Sequence, residues 1–310
     1  MSDAPRPPRV HRGVILVCIA GALWGTAPLA FEFVRNLTAL GAIQVSAYRL
    51  AIATLVLVIV AASFGNLRST WIAVRRRPLP VGVLGAGVAS YQVLWFAAIT
   101  QVGTSIATVL SLGLAPVLIT AWESWRAHTR PRAAQLVAIA VALTGLILVS
   151  LSTPDDAGSR NPAVGLLLAS ASGILYAATT VLSRRTATTV APLPLSTASS
   201  AVGAVCLLPV ALLSGPVTTV KPAALLSLSY LGVVTMALAS LLLFSGLRTA
   251  HAGATAIATL VEPFTATLLG VILLAEPLPL LAATGIGLIL TAVIAVNHRS
   301  ARISPSADSI

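Results

Sequence analysis

The sequence predicts an all-α integral membrane protein: ten transmembrane helices arranged as two inverted five-helix repeats. Three observations predict it, namely the apolar composition, the one-sided placement of basic residues and an internal repeat. Of 310 residues, 57% are hydrophobic and 9% are charged, with a mean hydropathy of +0.97. A soluble domain averages about 25% charged residues. Such a chain cannot clothe a water-soluble globule, and it carries more apolar length than one core requires.

About 20 apolar residues cross a bilayer core, and the elements are read on that basis. Residues 1–12 form a short basic tail. The first half, 13–151, holds spans at 13–34, 40–62, 79–100, 103–124 and 132–151. The loop "STPDDAGSRNP", 152–162, links the halves. The second half, 163–297, holds spans at 163–183, 193–213, 223–246, 252–274 and 279–297, and 298–310 is a second tail. Only "TQVG" separates the third span from the fourth, and "RTAHAG" the eighth from the ninth. The first run is long enough to span and many more follow, unlike a cleaved signal peptide. The runs lack the period-2 alternation of a membrane barrel. Cys18 and Cys206 lie in apolar runs and read as small core residues rather than a disulfide framework.

Lys and Arg then orient the chain. With both tails cytoplasmic, 15 of the 19 basic residues fall on the cytoplasmic side and three, Arg35, Arg160 and Lys221, fall outside. Arg49 stays within a span. This is the positive-inside bias. It accounts for the net charge of +11 without nucleic acid.

The halves also repeat. "GVILVCIAGALWGTAPL" from Gly13 aligns with "GLLLASASGILYAATTVL" from Gly165, setting Gly21 on Gly173 and Trp24 on Tyr176. Further on, Gly85 falls on Gly232, Pro116 on Pro263 and Thr144 on Thr291. An odd number of spans per copy inverts the second copy in the membrane, as in secondary transporters with a midplane site.

Catalytic explanations find no residues to stand on. The histidines, His11, His128, His251 and His298, occupy tails or span ends, and every Asp lies outside the spans. No HExxH, GxSxG or Walker-type motif occurs. The reading is therefore not an enzyme, with no cofactor and no metal site. Without a nucleotide-binding motif, transport is driven by a gradient or is passive.

Glu262 is the sharpest feature, a carboxyl in mid-span costing about 2.5–3.5 kcal/mol on insertion scales. Helical spacing sets Thr255, Thr259, Glu262 and Thr265 on one stripe. Pro263 cannot donate to the carbonyl of Thr259, which predicts a loose acceptor on the same side. Together these read as a wet cavity wall, with a structural Glu as the alternative. Arg49 must pair, meet carbonyls or face water. It either holds a substrate carboxylate, pairs with Glu262 in one state of a cycle, or fixes helix contacts. Trp24, Tyr91 and Trp95 lie away from the interface belts, so they either line a cavity or pack in the core. Pro116 and Pro263, at matching depths, are candidate helix bends. Gly21 and Gly25 form a GxxxG pair suited to close helix packing.

"GALWGTAPLA", Arg49 in "SAYRLAIATLVL", and the paired "GTSIATVLSLGLAPVLITA" and "AGATAIATLVEPFTATLLGVILLAEPL" resemble EamA-type repeats of the drug/metabolite transporter superfamily. The likeness covers nearly the whole chain and looks nearest to the threonine/homoserine exporter branch. It implies export of amino acids or similar small metabolites across a bacterial-type inner membrane through a central cavity. Two positions depart from the pattern. Thr129 stands where the fourth span usually ends in Glu, and Ala115 stands opposite Glu262. The expected function is a secondary exporter working by alternating access. Its coupling is either by protons exchanged at a midspan carboxyl or absent. The expected partners are a small-molecule substrate and the lipid bilayer. The alternative from another class is a membrane receptor or assembly factor that moves no solute, which the short loops disfavour.

Overall fold

A helix satisfies its own backbone polar groups, so an apolar chain in lipid has few other choices. The computed structural model describes residues 9–152, 161–214, 221–250, 258–273 and 280–302, and among these there is no strand. The first span is two helices, α1 (Arg9–Gly25) and α2 (Ala27–Leu37), meeting at Thr26. Pro28 in the first turn of α2 has no N–H to give, and the Thr26 hydroxyl donates to the Leu23 carbonyl at 2.7 Å across the joint. Both features bend the span.

Next come α3 (Ala42–Ser63), α4 (Leu67–Arg76) and the long α5 (Pro78–Arg126). The sequence reading has no counterpart of α4. With ten residues it is too short to span, and its arginines keep it from reading as apolar. Within α5, Gly103 takes φ 81°, ψ 164° and breaks the rod into apolar spans Pro78–Gly103 and Ile106–Arg126. A side chain rarely tolerates that backbone, which is why the "TQVG" join contains glycine.

The second half begins after α6 (Ala133–Ser152) with α7 (Pro162–Ala187), whose N-terminus is capped by Asn161 Oδ1 accepting from the Val164 N–H at 3.2 Å. There follow α8 (Pro192–Leu213), α9 (Pro222–Gly232), a π-helical turn at Val233–Leu238 and α10 (Ala239–Leu247). The chain ends in α11 (Val261–Leu273) and α12 (Leu280–Arg302).

Seven segments among the described residues are long and apolar enough to cross a membrane. Shorter apolar stretches are Ala133–Leu148 and Ala283–Ala292. The ninth expected span, 252–274, is not one uninterrupted helix over its described part. Thr259 and Leu260 form a turn, and α11 starts after it.

Packing brings the two halves together: α5 against α7, α3 against α8, α6 against α12, α1 against α10 and α11, and α2 against α9. One apolar cluster joins Leu112, Ile119, Leu146, Leu260 and Ile289, and another joins Leu50, Leu84, Leu195 and Phe244. Leu55, Ile59, Leu167, Val205 and Leu213 point outward and are exposed. In water such a surface would drive association, whereas lipid solvates it. Where α1 meets α11 the backbones nearly touch. A Cβ on Gly25 would collide with the Glu262 carbonyl and the Thr265 side chain.

Candidate functional site

Eleven residues from both halves enclose a central cavity, and five of them are Trp24, Arg49, Tyr91, Trp95 and Glu262. The remainder of the wall includes Gln92, Ser111, Ser172 and Tyr176. Its volume is about 40 Å³, room for roughly three water molecules and not for an amino acid. A second cavity of about 690 Å³ lies at the end of the bundle where α2 meets α3, walled by Arg35, Gln44, Ala97, Thr100 and Ser214.

Arg49 is buried at 4% exposure, and the π turn explains how it is held. In an α-helix the Ala239 N–H would bond the Thr235 carbonyl. Here it reaches the carbonyls of Val234 and Met236 instead. Arg49 Nη2 donates to the Thr235 carbonyl at 2.7 Å, and Nη1 donates to Gln92 Oε1 at 3.2 Å. The Gln92 amide nitrogen in turn faces Met236 Sδ at 3.8 Å. A widened turn thus presents a backbone acceptor to a buried cation, and π turns recur at functional sites.

Glu262 reaches the cavity from the other side, in the first turn of α11. A helix N-terminus favours a carboxylate. The expected loose carbonyl of Thr259 does not arise, because the Glu262 N–H donates to it at 2.9 Å. Pro263 falls where helical N–H groups lack intrahelical partners anyway, so the interruption precedes it. Pro116, by contrast, sits inside α5. Arg49 and Glu262 face one cavity, yet the ion pairs among the described residues are Glu32–Arg35 and Glu123–Arg184.

The threonine stripe is not one wall. Thr255 lies outside the described residues. The Thr259 side chain hydrogen-bonds with the Tyr176 hydroxyl. Thr265 donates to the Val261 carbonyl at 3.0 Å and packs on Gly25, away from the cavity.

The aromatic residues form a braced set. Tyr91 and Tyr176 meet edge-on at 5.3 Å, and Trp95 leans on Phe96, itself stacked on Phe31 at 4.3 Å. Ser111 donates to the Ala169 carbonyl and Ser172 to that of Tyr91, each at 3.0 Å, tying α5 to α7. Sequence reasoning missed Gln92 and Tyr176 as wall residues. The signals were present: a lone amide beside Tyr91, and the alignment of Tyr176 with Trp24.

Membrane-length apolar helices packed around a buried polar cavity define a multi-pass membrane transporter. The chain belongs to the EamA-like transporter family, whose model matches residues 11–151 and again 163–298. It is similar to the uncharacterized transporter YwfM of Bacillus subtilis (strain 168), at 29% identity over 210 residues, 68% of this chain and 70% of that one. It is also similar to the uncharacterized inner membrane transporter YicL of Salmonella typhimurium, at 26% identity over 94% of this chain and 97% of that one. A solved crystal structure shares the fold with a TM-score of 0.76 at 21% identity, covering 94% of this chain and 98% of its own.

Proposed function

We propose that this inner-membrane transporter is a secondary exporter of amino acids or similar small metabolites, working by alternating access around the cavity of Arg49 and Glu262. One observation carries the reading: a buried cation and a buried carboxyl face the same cavity between the halves and are not joined as an ion pair. Unneutralised charges in lipid are costly, and a zwitterionic solute would complement both. Glu262 is then the site of the substrate amine or of a coupling proton, and Trp24, Tyr91 and Trp95 form the wall. Pro116 inside α5 acts as a bend, and in the second half that part falls to the turn at Thr259 and Leu260 just before Pro263.

The same proposal divides the chain into two five-span repeats, 13–151 and 163–297, inverted about the cavity, with a linker at 152–162 and tails at 1–12 and 298–310. Packing supports this, because exchanging the halves preserves the principal contacts. α1 lies on α10 and α11 as α7 lies on the two parts of α5, while α3–α8 and α6–α12 map onto themselves. Gly21 approaches the Ala258 and Thr259 carbonyls, and its counterpart Gly173 approaches those of Leu110 and Ser111. The basic bias supports cytoplasmic tails.

The test compares metabolites in medium and cytosol of cells overproducing wild type or Glu262→Gln at matched membrane levels. We expect one solute class to move outward with wild type, with at least about a tenfold loss in the variant and a flattened dependence on external pH. Unchanged export and pH response in the variant would remove the proton and amine roles from Glu262. No solute displaced by wild type would remove the exporter reading.

A further inference from the structure

We propose that Arg49 and Trp95 together receive the carboxylate of the transported solute, through the guanidinium Nε–H and the indole Nε1–H. The inference rests on the exporter reading and assigns the orientation of its substrate. Both side chains line the cavity and are more than nine-tenths buried, at 4% and 9% exposure. Among the described residues, the buried side-chain nitrogens without an acceptor are Arg49 Nε and Trp95 Nε1. These two groups can only donate. What the site lacks is therefore an acceptor, and a buried donor left unmade carries a free-energy cost that a ligand relieves.

The surroundings hold both donors in place. Thr235 and Gln92 each take one N–H from an Nη atom of Arg49 and so fix the guanidinium, while its Nε–H has no acceptor. Phe96, backed by Phe31, braces the Trp95 ring. The acceptor class follows from the third polar group in the wall. An ammonium brought beside Glu262 favours its ionised form, which would repel a doubly charged phosphate, so a zwitterion with one carboxylate fits the set. The solute then lies with its carboxylate toward α3 and α5 and its amine toward α11. The aromatic wall formed by Tyr91 and Tyr176 contacts its side chain. The cavity must widen to admit it, as alternating access requires.

The test titrates the purified full-length protein with four kinds of probe: the standard amino acids, their carboxamides, the corresponding decarboxylated amines, and 2-hydroxy acids that lack the amine. Intrinsic fluorescence and melting temperature report binding to wild type and to Trp95→Phe, which keeps the ring and deletes the N–H. We expect amino acids that bind wild type to lose about tenfold affinity as carboxamides, the scale of one charge-assisted hydrogen bond. Trp95→Phe is expected to lose a similar factor for the acid and clearly less for the carboxamide, whose neutral oxygen is the weaker acceptor. Equal binding of acid and carboxamide by wild type, or equal losses of both in Trp95→Phe, overturns the assignment. If hydroxy acids bind with the same Trp95 dependence while amino acids do not, the carboxylate receptor stands and the amino-acid class falls. If no probe binds, both fall.

Discussion

Arg49 is bound to backbone and amide while Glu262 stands in a helix's first turn, so one cavity keeps two ionisable groups by different local means. Arg49→Gln strands the Thr235 carbonyl and the Gln92 amide in a buried setting. Leaving one such partner unsatisfied costs about 1–3 kcal/mol. The expected outcome is a clear drop in melting temperature in detergent, together with loss of transport. A variant that melts like wild type would show that the π turn does not depend on the guanidinium. The presence of a charge at Arg49 and Glu262 was legible in the sequence, because an ionisable residue stands out in an apolar run. Their partners were not. A π turn saves one hydrogen-bond register over six residues and leaves no pattern in "VVTMAL".

At the level of elements, the α1–α11 contact rests on the absence of side chains. Gly25 leaves space that the Glu262 carbonyl and Thr265 fill. Gly25→Leu would force the two backbones apart, a cost of about 1–3 kcal/mol for overpacking. A matching fall in melting temperature is the expected result, with wild-type stability as the contrary one. The GxxxG spacing announced a close approach but not its partner. Similarly, "LVEPF" announced an irregular helix, while its position upstream of Pro263, at Thr259 and Leu260, depends on the Glu262 N–H turning back to the Thr259 carbonyl. The helix α4 went unread because four of the eleven residues in "LRSTWIAVRRR" are arginine, which hides a short amphipathic face from a search for apolar length.

For the whole molecule, the two ends of the bundle differ. One opens into the cavity of about 690 Å³ beside Arg35. At the other, Arg184 on α7 meets Glu123 of α5 at 3.6 Å and donates from Nε to the Ala250 carbonyl at 3.1 Å, drawing three helix ends together. Both charged side chains are about a third exposed, so the pair is worth within about 1 kcal/mol of stability. Glu123→Gln is therefore expected to melt nearly as wild type does. If the contact helps to keep that end shut, the variant will increase labelling of Ser111→Cys in the cavity wall by a membrane-impermeant thiol reagent added from the side of the membrane that this end faces. Unchanged labelling would reduce the pair to a surface contact.

Composition and charge order alone determined that the chain is helical and crosses a membrane many times. These properties follow from solvation, which acts on each segment separately. The cavity was decided only by tertiary structure. Trp24, Arg49, Tyr91, Trp95 and Glu262 come from four helices, and no spacing along the chain requires them to meet. Close packing of α1 on α11, of α5 on α7 and of α3 on the π turn brings them together. It is also what left two buried N–H groups there without an acceptor.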